Sequence, residues 1–309
     1  LPGIVRRRAA GHLGSGHSLH DCSHPGSIAV MSAAPTPVAL TCGDVSADVF
    51  PAHGGRIGQI TVSGQPVLID VPAPPSSDGA MQWGSFPMAP WAGRIREGRF
   101  RFEEIDHRLA VNHHNGRVDD RRRTHSIHGT TYSRPWTVDT VGPTAVTMSI
   151  PLQGALDWPF AGVATQRIEL SATSIVCALT LETDDRAFPA EVGWHPWFRK
   201  PDHLEFAPTT MYVRDEFGIP TGELVEPTRP PWDDCFVGTD PVVLRYDRSH
   251  AAAVTVSSDC DHWVVFDHMD HATCVEPQSG PPDSFNSVGG GHHLVAPGQP
   301  LTRSMTIAW

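Results

Sequence analysis

Two short segments carry the side chains best suited to proton transfer. EVGWHPWF, residues 191–198, offers His195, and CVEPQSGPPDSFN, residues 274–286, offers Glu276. Each titratable group sits in a frame of Pro, Gly and aromatic residues, which restricts the backbone to few shapes. A histidine and a glutamate facing each other across a cleft are a general acid and a general base. His195 precedes Pro196, and the residue before proline avoids the α region, so an extended backbone is expected there. Trp194, Trp197 and Phe198 are expected to supply aromatic walls, the alternative being a core histidine held by rings. Glu276 closes the apolar run CV-E, where partial desolvation would raise its pKa toward neutrality. A glutamate capping a surface turn is the other reading, and the rigid Gly280-Pro281-Pro282 loop that follows argues against it.

Three further segments hold candidate ligand-binding groups. In FPMAPWAGRIREGRF, residues 86–100, Pro87 and Pro90 stiffen the approach and Gly93 permits a tight turn before Arg94. Arg94 reads either as a guanidinium fork for ligand oxygens or as half of a structural salt bridge. Arg96 and Arg99 lie nearby, and only one of the three need face a ligand. In THSIHGTTYSRPW, residues 124–136, His128 stands where a β segment meets a loop, and Gly129 allows close backbone approach. In PPWDDCFVG, residues 230–238, Asp233 or Asp234 offers a carboxylate to adjacent hydroxyls, or simply faces water.

No metal or cofactor is expected. His125/His128 and His268/His271 have HxxH spacing, but i and i+3 side chains of a strand point to opposite faces. The six cysteines (22, 42, 177, 235, 260, 274) contain no CxxC pair and suit a reducing cytoplasm better than a disulfide framework. GRIG at 55–58 is no dinucleotide fingerprint, and no phosphate-loop motif occurs.

The elements that must position these groups read as strands. The chain has 28 glycines and 29 prolines in 309 residues, well above an average usage of about 12% for the two together. That excess means many turns and many short strands. Strand-like runs occur at 38–50, 56–62, 66–70, 98–103, 107–112, 135–141, 144–152, 163–172, 174–183, 204–206, 210–214, 242–246, 252–257, 262–267, 272–276 and 302–308. Residues 163–183 predict a hairpin turning at Ala172-Thr173. Helical periodicity is nearly absent. The expectation is an all-β chain, a large antiparallel sandwich or barrel forming one domain from Val38 to the end. Residues 1–30 lack this patterning and any secretory apolar core. Met31 is therefore the expected initiator, with 1–30 either upstream translation or a disordered extension.

A net charge of −11 argues against nucleic acid or an anionic membrane as partner. There is no apolar run near 18 residues. A cytoplasmic location, a small-molecule partner and a monomer or weak dimer are the expectations.

In this order, five segments resemble the aldose 1-epimerase (galactose mutarotase) family. They are Gly93-Arg94-Ile95, His128-Gly129, Gly193-Trp194-His195-Pro196-Trp197-Phe198, Asp233-Asp234-Cys235-Phe236 and Glu276-Pro277-Gln278-Ser279. The likeness covers roughly residues 38–309. It implies a single-domain, many-stranded antiparallel β-sandwich with an open sugar cleft and no cofactor. His195 would protonate the ring oxygen and Glu276 would take the anomeric proton, while Arg94, His128 and Asp233 orient the sugar. Asp233 is preferred to Asp234 because it holds the family's first position before x-x-Phe. Gly93 departs from the family's Asn, Trp194 and Trp197 from its tyrosines, and Ser279 from its Thr. The tryptophans are expected to alter the pocket wall, so no particular hexose is implied. Two other readings stay open: a carbohydrate-binding module without turnover, and an epimerase for a phosphorylated or sulfonated sugar. The latter would need a cationic pocket, for which Arg94, Arg96, Arg99 and Arg121 to Arg123 are candidates.

Overall fold

Strand alternation and frequent turns produce two large antiparallel sheets. The computed structural model describes residues 37–70, 81–113, 125–247, 253–287 and 291–309, all within one compact unit, Pro35–Trp309. The expectation for residues 1–30 and the arginines 121–123 fall outside the described residues. Counted among the described residues, the larger sheet has eleven strands. Its order runs Val38–Cys42, Val45–Phe50, Arg56–Val62, Ser85–Met88, Gly193–Arg199, Ala272–Gln278, His262–Phe266, Asp233–Val237, Thr210–Arg214 and Pro220–Val225, with Gln65–Pro66 attached to Arg56–Val62. The smaller has eight, in the order Thr137–Val141, Ala145–Pro151, Val163–Leu170, Ser174–Glu182, Leu301–Ala308, Ala253–Ser258, Val242–Arg245 and His203–Glu205.

The smaller sheet follows the sequence closely. Val163–Leu170 and Ser174–Glu182 pair antiparallel in continuous register around the predicted turn. The Ser171 N–H closes that turn by donating to the Ser174 carbonyl at 2.8 Å. In Ser174–Glu182 every second residue is buried, so Ile175, Cys177, Leu179 and Leu181 face inward. These side chains join Leu40, Ile60, Trp194, Phe198, Trp263 and Val275 of the larger sheet in one continuous core. The architecture is a β-sandwich, as expected. Helix is confined to three short 3₁₀ turns among the described residues. None of these is long and apolar enough to cross a membrane.

Candidate active site

Two central strands of the larger sheet build the site. The histidine strand, Gly193–Arg199, pairs on one side with Ser85–Met88, where His195 is opposite Phe86. On its other side lies the glutamate strand, Ala272–Gln278, with Gly193 opposite Gln278 and Trp197 opposite Cys274. That register sets His195 across from Glu276, on the face turned away from the sandwich core. His195 Nε2 stands 3.2 Å from Glu276 Oε1. The two residues expose only 7% and 3% of their surface, so their contact is shielded from bulk water.

Two expectations need correction here. Trp194 and Phe198 do not wall the cleft. Alternation sends them into the sandwich, where Trp194 Nε1 donates to Gln166 Oε1 at 3.0 Å. Only Trp197 reaches the cleft. Glu276 is also not at a strand end, because pairing continues through Gln278. Its carboxyl is therefore fully buried, not partly desolvated.

A column of flat groups holds His195. Its imidazole is stacked between Phe86, at 4.8 Å, and Trp197, at 5.3 Å. Trp197 is fixed in turn by its Nε1 donating to the Met81 carbonyl at 2.7 Å. Beneath Phe86 lies Arg56, wholly buried, with its guanidinium 5.1 Å from that ring and 4.4 Å from Trp83. Arg56 donates to the carbonyls of His53, Trp83 and Tyr132, so a buried cation is satisfied by backbone dipoles instead of a carboxylate.

Burial controls the charge of the pair. It pushes the Glu276 carboxyl up to about 8, helped by the nearby Asp233 carboxylate. A hydrogen bond from Gln278 Nε2 at 3.2 Å and the charge of Arg94 act in the opposite direction. Burial pushes His195 down to about 3, with the Arg56 charge adding to the effect. Both shifts favour the uncharged forms near neutral pH, a protonated carboxyl and a neutral imidazole.

The other candidates converge on the same place. Arg94, His128, His195, Asp233 and Glu276 all line one cleft of about 1200 Å³. His128 follows the short strand Ser126–Ile127 and meets His195 edge-on at 5.1 Å. Burial, then His195 and Arg94, hold His128 well below its usual value. Gly129 has a φ of 78°, and a Cβ there would lie 1.9 Å from the Ala89 carbonyl oxygen, so the expected close approach is real. Gly93, at φ 62°, packs against Pro282 of the glutamate-side loop. Of the three arginines, Arg94 faces the cleft. Arg96 pairs with Asp215 and Asp283, and Arg99 with Glu97.

Asp233 and Asp234 share one partner that sequence reasoning misses. Arg214 approaches Asp233 Oδ2 at 3.2 Å and Asp234 Oδ1 at 3.0 Å. The Asp233 side chain is the more accessible, at 44% against 19%. Phe86, Gln278, Arg56 and Cys274 escape sequence reasoning as well. Cys274, His195 and Glu276 bring one potential ligand atom each within 4.8 Å of one another. Neither HxxH pair belongs to that group. Only strand register could reveal these residues, since none stands out by local spacing.

Comparison with known proteins identifies the family and the fold. The sequence profile of the family described as aldose 1-epimerase matches residues 38–308. The chain is similar to the uncharacterized protein YihR of Escherichia coli K12, with 24% identity over 278 residues, 81% of this chain and 86% of that one. Its fold resembles a putative aldose 1-epimerase from Escherichia coli K12, with a TM-score of 0.74 at 19% identity, covering 88% of this chain and 98% of the other. A galactose mutarotase-like protein from Clostridium acetobutylicum gives 0.72 at 16% identity, over 87% and 93%. A galactose 1-epimerase from Lactobacillus acidophilus gives 0.64 at 15%, over 87% and 92%.

Proposed function

The chain belongs to the aldose 1-epimerase family, and on that premise we propose that it interconverts the α and β anomers of a free hexose by acid–base opening and reclosure of the ring. The observation that carries this reading is the buried contact of 3.2 Å between His195 Nε2 and Glu276 Oε1. Ring opening removes a proton from O1 and delivers one to the ring oxygen. A pair that holds one proton and one vacancy can perform both transfers.

In the resting pair the proton lies on Glu276. Sugar hydroxyls donating to that carboxyl, together with Arg94, favour its ionised form and drive the proton to His195. The imidazolium then protonates the ring oxygen while the carboxylate takes the O1 proton. Breaking the C1–O5 bond leaves an open-chain aldehyde with its C5 hydroxyl formed. The pair has returned to its resting state, with the proton on Glu276 again. Rotation about C1–C2 presents the other carbonyl face, and closure reverses both transfers. His128, Arg94 and Asp233 orient the hydroxyls, and the Trp197 ring offers a flat apolar surface.

Polarimetry on freshly dissolved α-D-glucose and α-D-galactose tests the proposal. Wild-type chain should accelerate the relaxation. Glu276→Gln and His195→Asn should each slow turnover by about 10²–10⁴-fold while leaving sugar affinity within a few-fold. Near-normal rates in either variant would overturn the roles. Binding without any acceleration by the wild type would overturn the enzymatic reading.

A further inference from the structure

Proton transfer employs His195 and Glu276 but leaves unused a third reactive side chain beside them. Cys274 precedes Glu276 by two positions in the same strand, so alternation turns both toward one face. Across the ladder it is opposite Trp197, next but one to His195. An imidazole nitrogen, a thiol sulfur and a carboxylate oxygen consequently lie within 4.8 Å of one another, all on buried residues.

We propose that the floor of the cleft is also a binding site for a soft divalent cation, with Zn²⁺ the best fit, held by His195, Cys274 and Glu276. Nitrogen, sulfur and oxygen donors together suit zinc, whereas magnesium and calcium favour oxygen alone. Zinc takes these donors at about 2.0–2.3 Å, which sets them roughly 3.3–3.8 Å apart in a tetrahedron. His195 and Glu276 are already 3.2 Å apart, so binding has to draw the Cys274 sulfur in to that spacing. Because His195 and Glu276 line the cleft, the fourth position opens toward it and is left to water. Binding displaces the Cys274 thiol proton and the Glu276 carboxyl proton to solvent, so affinity rises with pH. The ion occupies the lone pairs that would move protons, and it therefore competes with the sugar. This competition rests on the mutarotase reading; the binding does not.

The full chain, treated with chelator and dialysed, is titrated with Co²⁺ and its absorption followed. The expected result is a near-ultraviolet thiolate-to-cobalt band with the visible bands of tetrahedral Co²⁺, saturating at one ion per chain and bleached by Zn²⁺. Cys274→Ser and Cys274→Ala should lose the ultraviolet band, and Cys235→Ser should keep it. In polarimetry, half-inhibition by Zn²⁺, read against each variant's own zinc-free rate, should need at least tenfold more metal in the Cys274 variants. Absence of a thiolate band in the wild type overturns the site, as does a band or an inhibition unchanged by replacing Cys274. The cobalt titration needs no turnover, so a chain that fails to mutarotate still tests the metal site.

Discussion

At the scale of the residue, the most telling property of the site is that the uncharged forms of His195 and Glu276 are both favoured. Burial forces this by penalising the carboxylate of Glu276 and the imidazolium of His195 alike. The proposed mechanism requires the pair to hold one proton, since a second fills the vacancy and none leaves no acid for the ring oxygen. The one-proton state exists above the His195 value of about 3 and below the Glu276 value of about 8. The expected kcat/KM is therefore flat through mildly acidic and neutral pH. It should fall with increasing pH once about 8 is passed, approaching tenfold per pH unit. Polarimetry across pH, corrected for the spontaneous base-catalysed reaction, checks this. A fall centred near 6.5, the ordinary histidine value, would show instead that the imidazole titrates freely and that the stacked column does not control it.

At the scale of the element, the register of two neighbouring strands sets His195 beside Glu276, and Gly193 packs tightly against the glutamate strand. A Cβ on Gly193 would lie 2.6 Å from the Pro277 carbonyl oxygen and 3.1 Å from Met88 Cε. Gly193→Ala should therefore part the histidine and glutamate strands. A misplacement near 1 Å can cost about 10² in rate, so turnover should drop by roughly that factor in polarimetry, with the chain still folded by circular dichroism. An unchanged rate would mean that the ladder tolerates the methyl and that register is held elsewhere. The same strands explain what sequence can and cannot show. Val163–Leu170 and Ser174–Glu182 are legible because one face is core and the other is not. Ser85–Met88 and Gly193–Arg199 do not read as strands, since almost every residue is buried on both faces and the alternation vanishes. Their Pro, Gly and Trp content conceals them further. His195 and Glu276 are recognisable as reactive groups from their local frames, but their pairing is a long-range fact of register that no local pattern contains.

At the scale of the whole molecule, the sandwich is readable from turn frequency and strand spacing, and the five candidate side chains do meet in one cleft. Arg56 is not readable, because a cation in a GGRIG turn looks like surface until the fold buries it beneath Phe86. The fold also carries a cost that the site imposes. Glu276 has an ordinary carboxyl value of 4.5 when unfolded and about 8 when folded. Between those values the native chain keeps a proton that the unfolded chain has released. Stability must therefore fall as pH rises from about 4.5 to 8, and the contribution is level on either side. A tenfold difference in proton affinity is worth about 1.4 kcal/mol, so by pH 7 the penalty is on the order of 3 kcal/mol. Glu276→Gln has no proton to lose and can still accept the Gln278 hydrogen bond. Its urea midpoint should match wild type near pH 4 and exceed it by a growing margin toward pH 8. Glu191, buried and also raised to about 8 mainly by burial, should give the same divergence as Glu191→Gln. A Glu276→Gln midpoint parallel to wild type across that range would mean that the carboxyl titrates as it does in water, and the neutral resting pair would fall with it. Divergence would tie the loss of activity in this variant to a gain in stability, as expected where a site is held in a state the fold alone would not choose.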